Sequence, residues 1–242
     1  MRFLLILILV LQLNSSKADE IYNLLKIPNL EIFKLNSVNG IKYLNSRNDF
    51  RIGFKKNIRC YKSNKNNLKK KFPLIKENLE KYDSEFLKKI NLRFVILCEN
   101  LSISGINTAG IPDQKKGVLI LDLNINEKYF ERAIHHEIFH IIDDSFKYLF
   151  DKKTWSEYNL KNFKYAECST CSDRKSLDLY NNTNGFLTEY SKSTASEDMA
   201  EVYSFLITDK INIQNKIKKD LILFNKVKFI KNQVDKISNF KL

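Results

Sequence analysis

The sequence predicts an α+β fold, a small mixed sheet packed on helices, and three observations carry that reading. Two dense apolar runs, LRFVILCENL (residues 92–101) and GVLILDLN (117–124), have the length of strands and no helical spacing. Other long segments repeat apolar residues every three or four positions, as amphipathic helices do. Of the 242 residues, 43% are hydrophobic and 12% aromatic, which suits one substantial core and excludes a wholly disordered chain.

The first stretch stands apart. After Met1-Arg2, residues 3–13 (FLLILILVLQL) are apolar except for Gln12, and Ser16 and Ala18 then supply small residues. The run falls short of the roughly 20 residues of a membrane span. It reads as a cleaved secretory signal over residues 1–18, which places the mature protein in the periplasm or outside the cell. No cysteine follows the run, so a lipoprotein anchor is unsupported.

Residues 19–62 alternate apolar bursts such as NLEIFKL and DFRIGF with turns at Asn39-Gly40 and Arg47-Asn48. This strand-rich segment is either a packed layer of the fold or a prosegment. Residues 63–242 form the main domain. Within it, Leu68, Phe72, Ile75, Leu79, Tyr82, Phe86 and Ile90 mark one helix or two in succession, with Pro73 at a start or kink. The strand at 92–101 precedes a turn-rich stretch containing Gly105, Gly110, Pro112, Asp113 and Gly117. The next strand, Val118 to Leu123, leads into a helix with Asn126 as N-cap. Residues 151–186 lack periodicity, and loops of that length are usually functional or tied down. A second strong helix begins at SEDMAEVYSFLIT, with Ser196 as candidate cap. The lysine-rich tail from Ile211 is one amphipathic helix or a pair, packed against the body rather than lying on a membrane.

Lysine and arginine number 41 against 28 acidic residues, a net charge of +13. The positive charge is scattered lysine without a recognition motif, so nucleic acid is not an expected partner; weak contact with an anionic envelope surface is compatible with it. Cys60, Cys98, Cys168 and Cys171 in an exported chain read as disulfides, paired 60–98 and 168–171.

All three histidines fall within HHEIFHIIDD, residues 135–144. His136-Glu137-Ile138-Phe139-His140 spells HExxH on a predicted helix. Residues four apart share a face, so both imidazoles reach one tetrahedral cation, and Glu137 on the adjoining edge reaches a water. Zinc suits this donor set, and the expectation is one ion per chain. His135 points elsewhere and is read as a packed or surface imidazole. A third protein ligand must be a carboxylate or thiolate, and the second helix offers Glu197, Asp198 and Glu201. One of the two glutamates would complete the site while the other anchors a ligand histidine.

The stretch HHEIFHIIDD … TEYSKSTASEDMAEVYSF resembles the gluzincin metallopeptidases, particularly the anthrax lethal factor-like group and related zinc-binding metallopeptidases of bacteria. The likeness spans roughly residues 117–206 and implies a zincin-like domain whose second ligand-bearing helix begins E-x-x-A-E. It implies Glu197 as third ligand, Glu201 as its support, and Tyr190, seven residues before Glu197, facing the site. Phe139 stands where lethal factor-like members carry glycine. The segment WSEYNLKNFKY is also similar to the Trp…Asn…Phe-x-Tyr segment of the bacterial relatives.

The implied activity is peptide-bond hydrolysis, with Glu137 as general base, Tyr190 as oxyanion donor, and Asp143 or Asp144 orienting an imidazole. A protein or peptide would be the partner, with the chain a monomer. GVLILDLN would be the edge strand that an extended substrate joins. The competing reading is a non-catalytic zinc-binding envelope protein of the same fold.

Overall fold

The computed structural model describes residues 30–34, 37–238 and 242. The signal-peptide expectation and the beginning of the 19–62 segment lie outside the described residues.

Eight strands are described: β1 (Leu30–Lys34), β2 (Lys42–Ser46), β3 (Phe50–Ile52), β4 (Ile58–Tyr61), β5 (Phe94–Ile103), β6 (Ile106–Asn107), β7 (Gly110–Asp113) and β8 (Val118–Asp122). The ten-residue β5 organises them. Its first half lies between β2 and β8, both parallel to it; its second half pairs antiparallel with β4 and β6. The order across the first half is β1-β2-β5-β8-β7, with β1 and β7 antiparallel at the two ends.

The unbroken apolar runs follow from burial on both faces. Val95, Leu97, Leu119 and Leu121 alternate with Ile96, Cys98, Val118 and Ile120. The first set joins the main core, and the second packs with Phe50, Cys60 and Leu101 on the opposite face. Cys60 and Cys98 are joined there, with Cα atoms 5.9 Å apart. Closing a 38-residue separation removes about 4 kcal/mol of unfolded-chain entropy, against about 2 for the local Cys168–Cys171 ring.

One sequence expectation is corrected here. GVLILDLN is not an edge: every residue of β8 is buried, and it lies between β5 and β7. The edge is β7, from the stretch that read as turns. Residues 30–61, moreover, supply strands to the same sheet, and β2 is an interior strand of it.

Seven α-helices are described: α1 (Lys65–Leu79), α2 (Ser84–Lys89), α3 (Glu127–Ser145), α4 (Lys152–Glu157), α5 (Ala195–Thr208), α6 (Lys210–Ile217) and α7 (Leu221–Ile237). The first helical expectation resolves into two helices, and Pro73 sits inside α1 rather than at its start. Asn126 caps α3 as expected, accepting from Lys128 N. The cap of α5 is Thr194 instead of Ser196: its extended backbone lets its hydroxyl accept from Glu197 N at 3.2 Å. The tail is a helix pair, and Leu223, Val227, Ile230 and Val234 of α7 enter the main core. No described helix is long and apolar enough to cross a membrane.

Candidate metal centre

Helix α3 follows β8 after a four-residue connection and packs against α5, β7 and β8. Its apolar positions Ile134, Ile138, Phe139, Ile141 and Ile142 are fully buried. That packing fixes the helix rotation and turns His136 and His140 toward α5.

Three donor atoms meet between the helices. His136 Nε2 lies 2.9 Å from Glu197 Oε2, His140 Nε2 lies 3.2 Å from the same oxygen, and the two Nε2 atoms are 3.2 Å apart. A tetrahedral zinc with bonds of about 2.0–2.1 Å separates its donors by about 3.3 Å. The triangle therefore matches a zinc face to within a few tenths of an ångström. The local field also favours a cation. Burial opposes protonation of His136, yet its bonds with Glu197 and Glu201 raise its pKa to about 10. Glu197, despite a burial penalty that works the other way, is held well below the usual carboxylate range by both imidazoles.

Behind the donors, Glu201 Oε1 accepts from His136 Nδ1 at 3.0 Å. That bond fixes the tautomer, leaving the Nε2 lone pair for a metal. Thr188 Oγ1 donates to Glu201 Oε2 at 2.9 Å, and Arg132 Nε stands 3.8 Å from Oε1. Neither Thr188 nor Arg132 was singled out from sequence. Arg132 had a signal, lying one helical turn before His136 on the same face; Thr188 had none.

Asp198 faces the other way, into the core. Its Oδ2 accepts from Trp155 Nε1 at 2.9 Å, Tyr165 Oη at 2.6 Å and Lys226 Nζ at 2.7 Å. This fully buried ion pair ties α4, the following loop and α7 to the residue next to Glu197.

Glu137 is buried beside the donors and faces the groove they floor. Burial pushes its pKa up to about 7; the two imidazoles pull it down and Glu197 pushes it further up. A Cβ on Gly110 would come within 2.6 Å of Glu137 Cγ and 3.1 Å of Ile120 O. Only glycine lets β7 lie this close to the glutamate.

Tyr190 opens the short turn Tyr190–Lys192, its ring centroid 6.0 Å from that of His136. Burial raises the pKa of its phenol, and the Glu197 and Glu137 carboxylates add to the shift, so the group stays a donor. Asp143 and Asp144 are a correction. Asp143 accepts from Ser196 Oγ at 3.1 Å and pairs with Lys152 at 3.6 Å, and Asp144 pairs with Lys147. Neither is hydrogen-bonded to an imidazole: Asp143 is turned to Ser196 of α5, and Asp144, although it lines the groove, has its carboxylate drawn to Lys147. His135 is also turned away, and is fully buried.

The groove encloses about 840 Å³ and runs along the outer side of β7, past Tyr129, Arg132 and Tyr190. An α+β sheet over an HExxH helix, with a second helix supplying a carboxylate, defines a zincin-like metallopeptidase domain. The family described as putative zinc-binding metallo-peptidase matches residues 80–238, well over half of the chain, and the chain belongs to it. A crystal structure of a putative zinc-binding metallo-peptidase from Bacteroides caccae is similar, with a TM-score of 0.51 at 20% identity. The match covers 77% of this chain and 76% of that one, and it bears on the fold alone. A comparison with curated proteins finds no match.

Proposed function

We propose that the chain is a zinc-dependent peptidase that hydrolyses peptide bonds outside the cytoplasm. One observation carries the reading: His136, His140 and Glu197 converge at the floor of a groove, with a buried glutamate beside them and a strand edge that is free among the described residues. The three residues would hold one zinc ion per chain. Zinc in such a site supplies Lewis acidity, lowering the pKa of a water and polarising a carbonyl.

The chain's own groups do the rest. An extended peptide adds to the outer edge of β7, whose other edge is taken by β8. Glu137 accepts a proton from the attacking water and returns it to the leaving amine. The Tyr190 phenol donates a hydrogen bond to the oxyanion, a contact typically worth about 3 kcal/mol. Glu201 keeps His136 oriented throughout. The groove walls and buried α3 limit access of bulk water to Glu137.

Two disulfides support an oxidising, extracytoplasmic compartment. We also take the segment before residue 63 as an integral layer rather than a prosegment, since its removal would expose the β5 edge that β2 covers. The protein is read as a monomer acting on protein or peptide substrates.

The test is direct. Zinc-loaded protein is offered a proteome-derived peptide library, beside Glu137→Gln. Cleavage by wild type, lost by about 10²–10⁴-fold in the variant with zinc retained, is the expected result. Zinc retention with no cleavage by wild type would establish the non-catalytic reading instead.

A further inference from the structure

Two hairpin tips stand side by side at the end of β5, and neither has a part in the chemistry above. One joins β3 to β4 through residues 53–57, and the other joins β5 to β6 through Ser104-Gly105. Ile58 is paired with Ile103, and Ser104 N donates to Asn57 O at 2.8 Å, so the tips are locked to each other. Residues 53–56 and 104–107 are all exposed, which makes this surface convex rather than a pocket.

Its chemistry is one-sided. Phe54 is 80% exposed and Ile106 48%. Residues 50–60 and 101–112 hold four cations, Arg51, Lys55, Lys56 and Arg59, and no acidic residue, whereas the whole chain sets 28 acids against 41 cations. Lys55 Nζ stands 5.4 Å from the centroid of the Phe54 ring, so charge and ring reach the same interface.

The backbone holds these groups in place. Ser104 and Gly105 both have positive φ, the geometry of a tight type I′ turn. Lys55 and Lys56 are left-handed too, at φ of 50° and 56°. That conformation favours glycine or asparagine, and lysine holds it at a cost in folding energy. Hydrogen bonds from Lys56 N to Gly53 O and from Asn57 N to Phe54 O, both 3.1 Å, fix the turn.

We propose that the two tips form a docking surface for an anionic lipid bilayer, with Phe54 entering the layer and Lys55 and Lys56 meeting headgroup phosphates. An exposed aromatic ring gains by entering the acyl boundary, and the lysines beside it gain from the negative surface potential. A convex apolar tip suits a deformable layer; a protein partner would need a matching hollow. Ile103 and Ile106 also line the groove of the metal centre, so docked protein holds that side of the groove at the lipid surface.

The test uses zinc-free protein processed after Ala18, with vesicles of phosphatidylcholine alone or with about one-third phosphatidylglycerol. Co-sedimentation should show binding to the anionic vesicles and at least about tenfold weaker binding to the neutral ones. Phe54→Ser should weaken binding about tenfold, and Lys55→Ser/Lys56→Ser about 10–30-fold, both with the circular dichroism of wild type because these side chains are exposed. Lys218→Ser/Lys219→Ser, an exposed pair of equal charge after α6, should cost less than about threefold. The native Trp155 is fully buried, so Phe54→Trp adds an exposed reporter whose emission should shift to the blue with anionic vesicles.

Equal losses from the two lysine pairs, or full binding by Phe54→Ser, overturn the proposal and leave scattered charge as the cause. Tighter binding to polyglutamate than to anionic vesicles, with the Phe54→Trp emission unmoved, overturns it in favour of an acidic protein partner. None of these readouts needs zinc or cleavage, so their failure leaves the peptidase reading standing, and the failure of that reading leaves them.

Discussion

His135 and His136 are chain neighbours on one helix, both all but inaccessible to water, yet their basicities shift in opposite directions. His135 Nδ1 accepts from Tyr82 Oη at 2.7 Å, and its Nε2 donates to Asn78 Oδ1 at 2.9 Å. Both partners are neutral, so burial dominates and drives the pKa down to about 3, with the Lys81 charge adding to it. His136 carries the same burial cost, but its partners are carboxylates, and its pKa rises to about 10. Burial lowers both, and the charge of the hydrogen-bond partners decides whether that lowering stands or is reversed. One hundred degrees of helix rotation thus separates a structural relay from a cation site.

This contrast can be broken from either side. The largest effect is expected from His136→Ala: zinc content after dialysis should fall from one ion per chain to below about 0.1, read by atomic absorption, because two donors no longer make a site. Glu201→Gln removes only the charge behind His136. It should weaken zinc binding by about 10–100-fold, measured by competition with a chromophoric chelator, with the fold intact. His135→Phe should do the reverse. It leaves zinc affinity within about twofold but costs about 1–3 kcal/mol in urea unfolding, because Tyr82 and Asn78 each lose a buried partner.

The same residue gives a readout in pH dependence. An unfolded-state His135 takes up a proton below about pH 6.5, while the folded one resists until about 3. Its contribution to stability is therefore complete above about 6.5 and is lost as pH falls toward 3, at up to about 1.4 kcal/mol per pH unit. Unfolding of zinc-free wild type between pH 6.5 and 4 should steepen with acid relative to His135→Phe. Parallel curves would remove His135 as the source.

Much of the site was legible because its signals are local. HExxH and E-x-x-A-E each lie within one or two helical turns, and the apolar spacing of α3 fixes which face they share. The two apolar runs reported strands because burial on both faces leaves no alternation to misread. What was hidden depends on distant partners. Gly110, Pro112 and Asp113 have the composition of a turn, yet β7 tolerates a residue without an N–H because, among the described residues, one of its edges is unpaired. Lys226 is one lysine among many in the tail, and only the fold sets it against Asp198. Ser196 looked like a cap because caps are inferred from residue type. The extended backbone that selects Thr194 is set by the preceding turn, which sequence spacing does not reveal.

The ion pair between Asp198 and Lys226 has a consequence in time. Asp198 is held in the core beside the third ligand, and its counter-charge comes from the middle of α7, near the end of the described chain. An unbalanced carboxylate at that depth would keep α5 from seating. During synthesis the imidazoles emerge first, the carboxylate follows, and the cation that balances its buried neighbour comes last of the three.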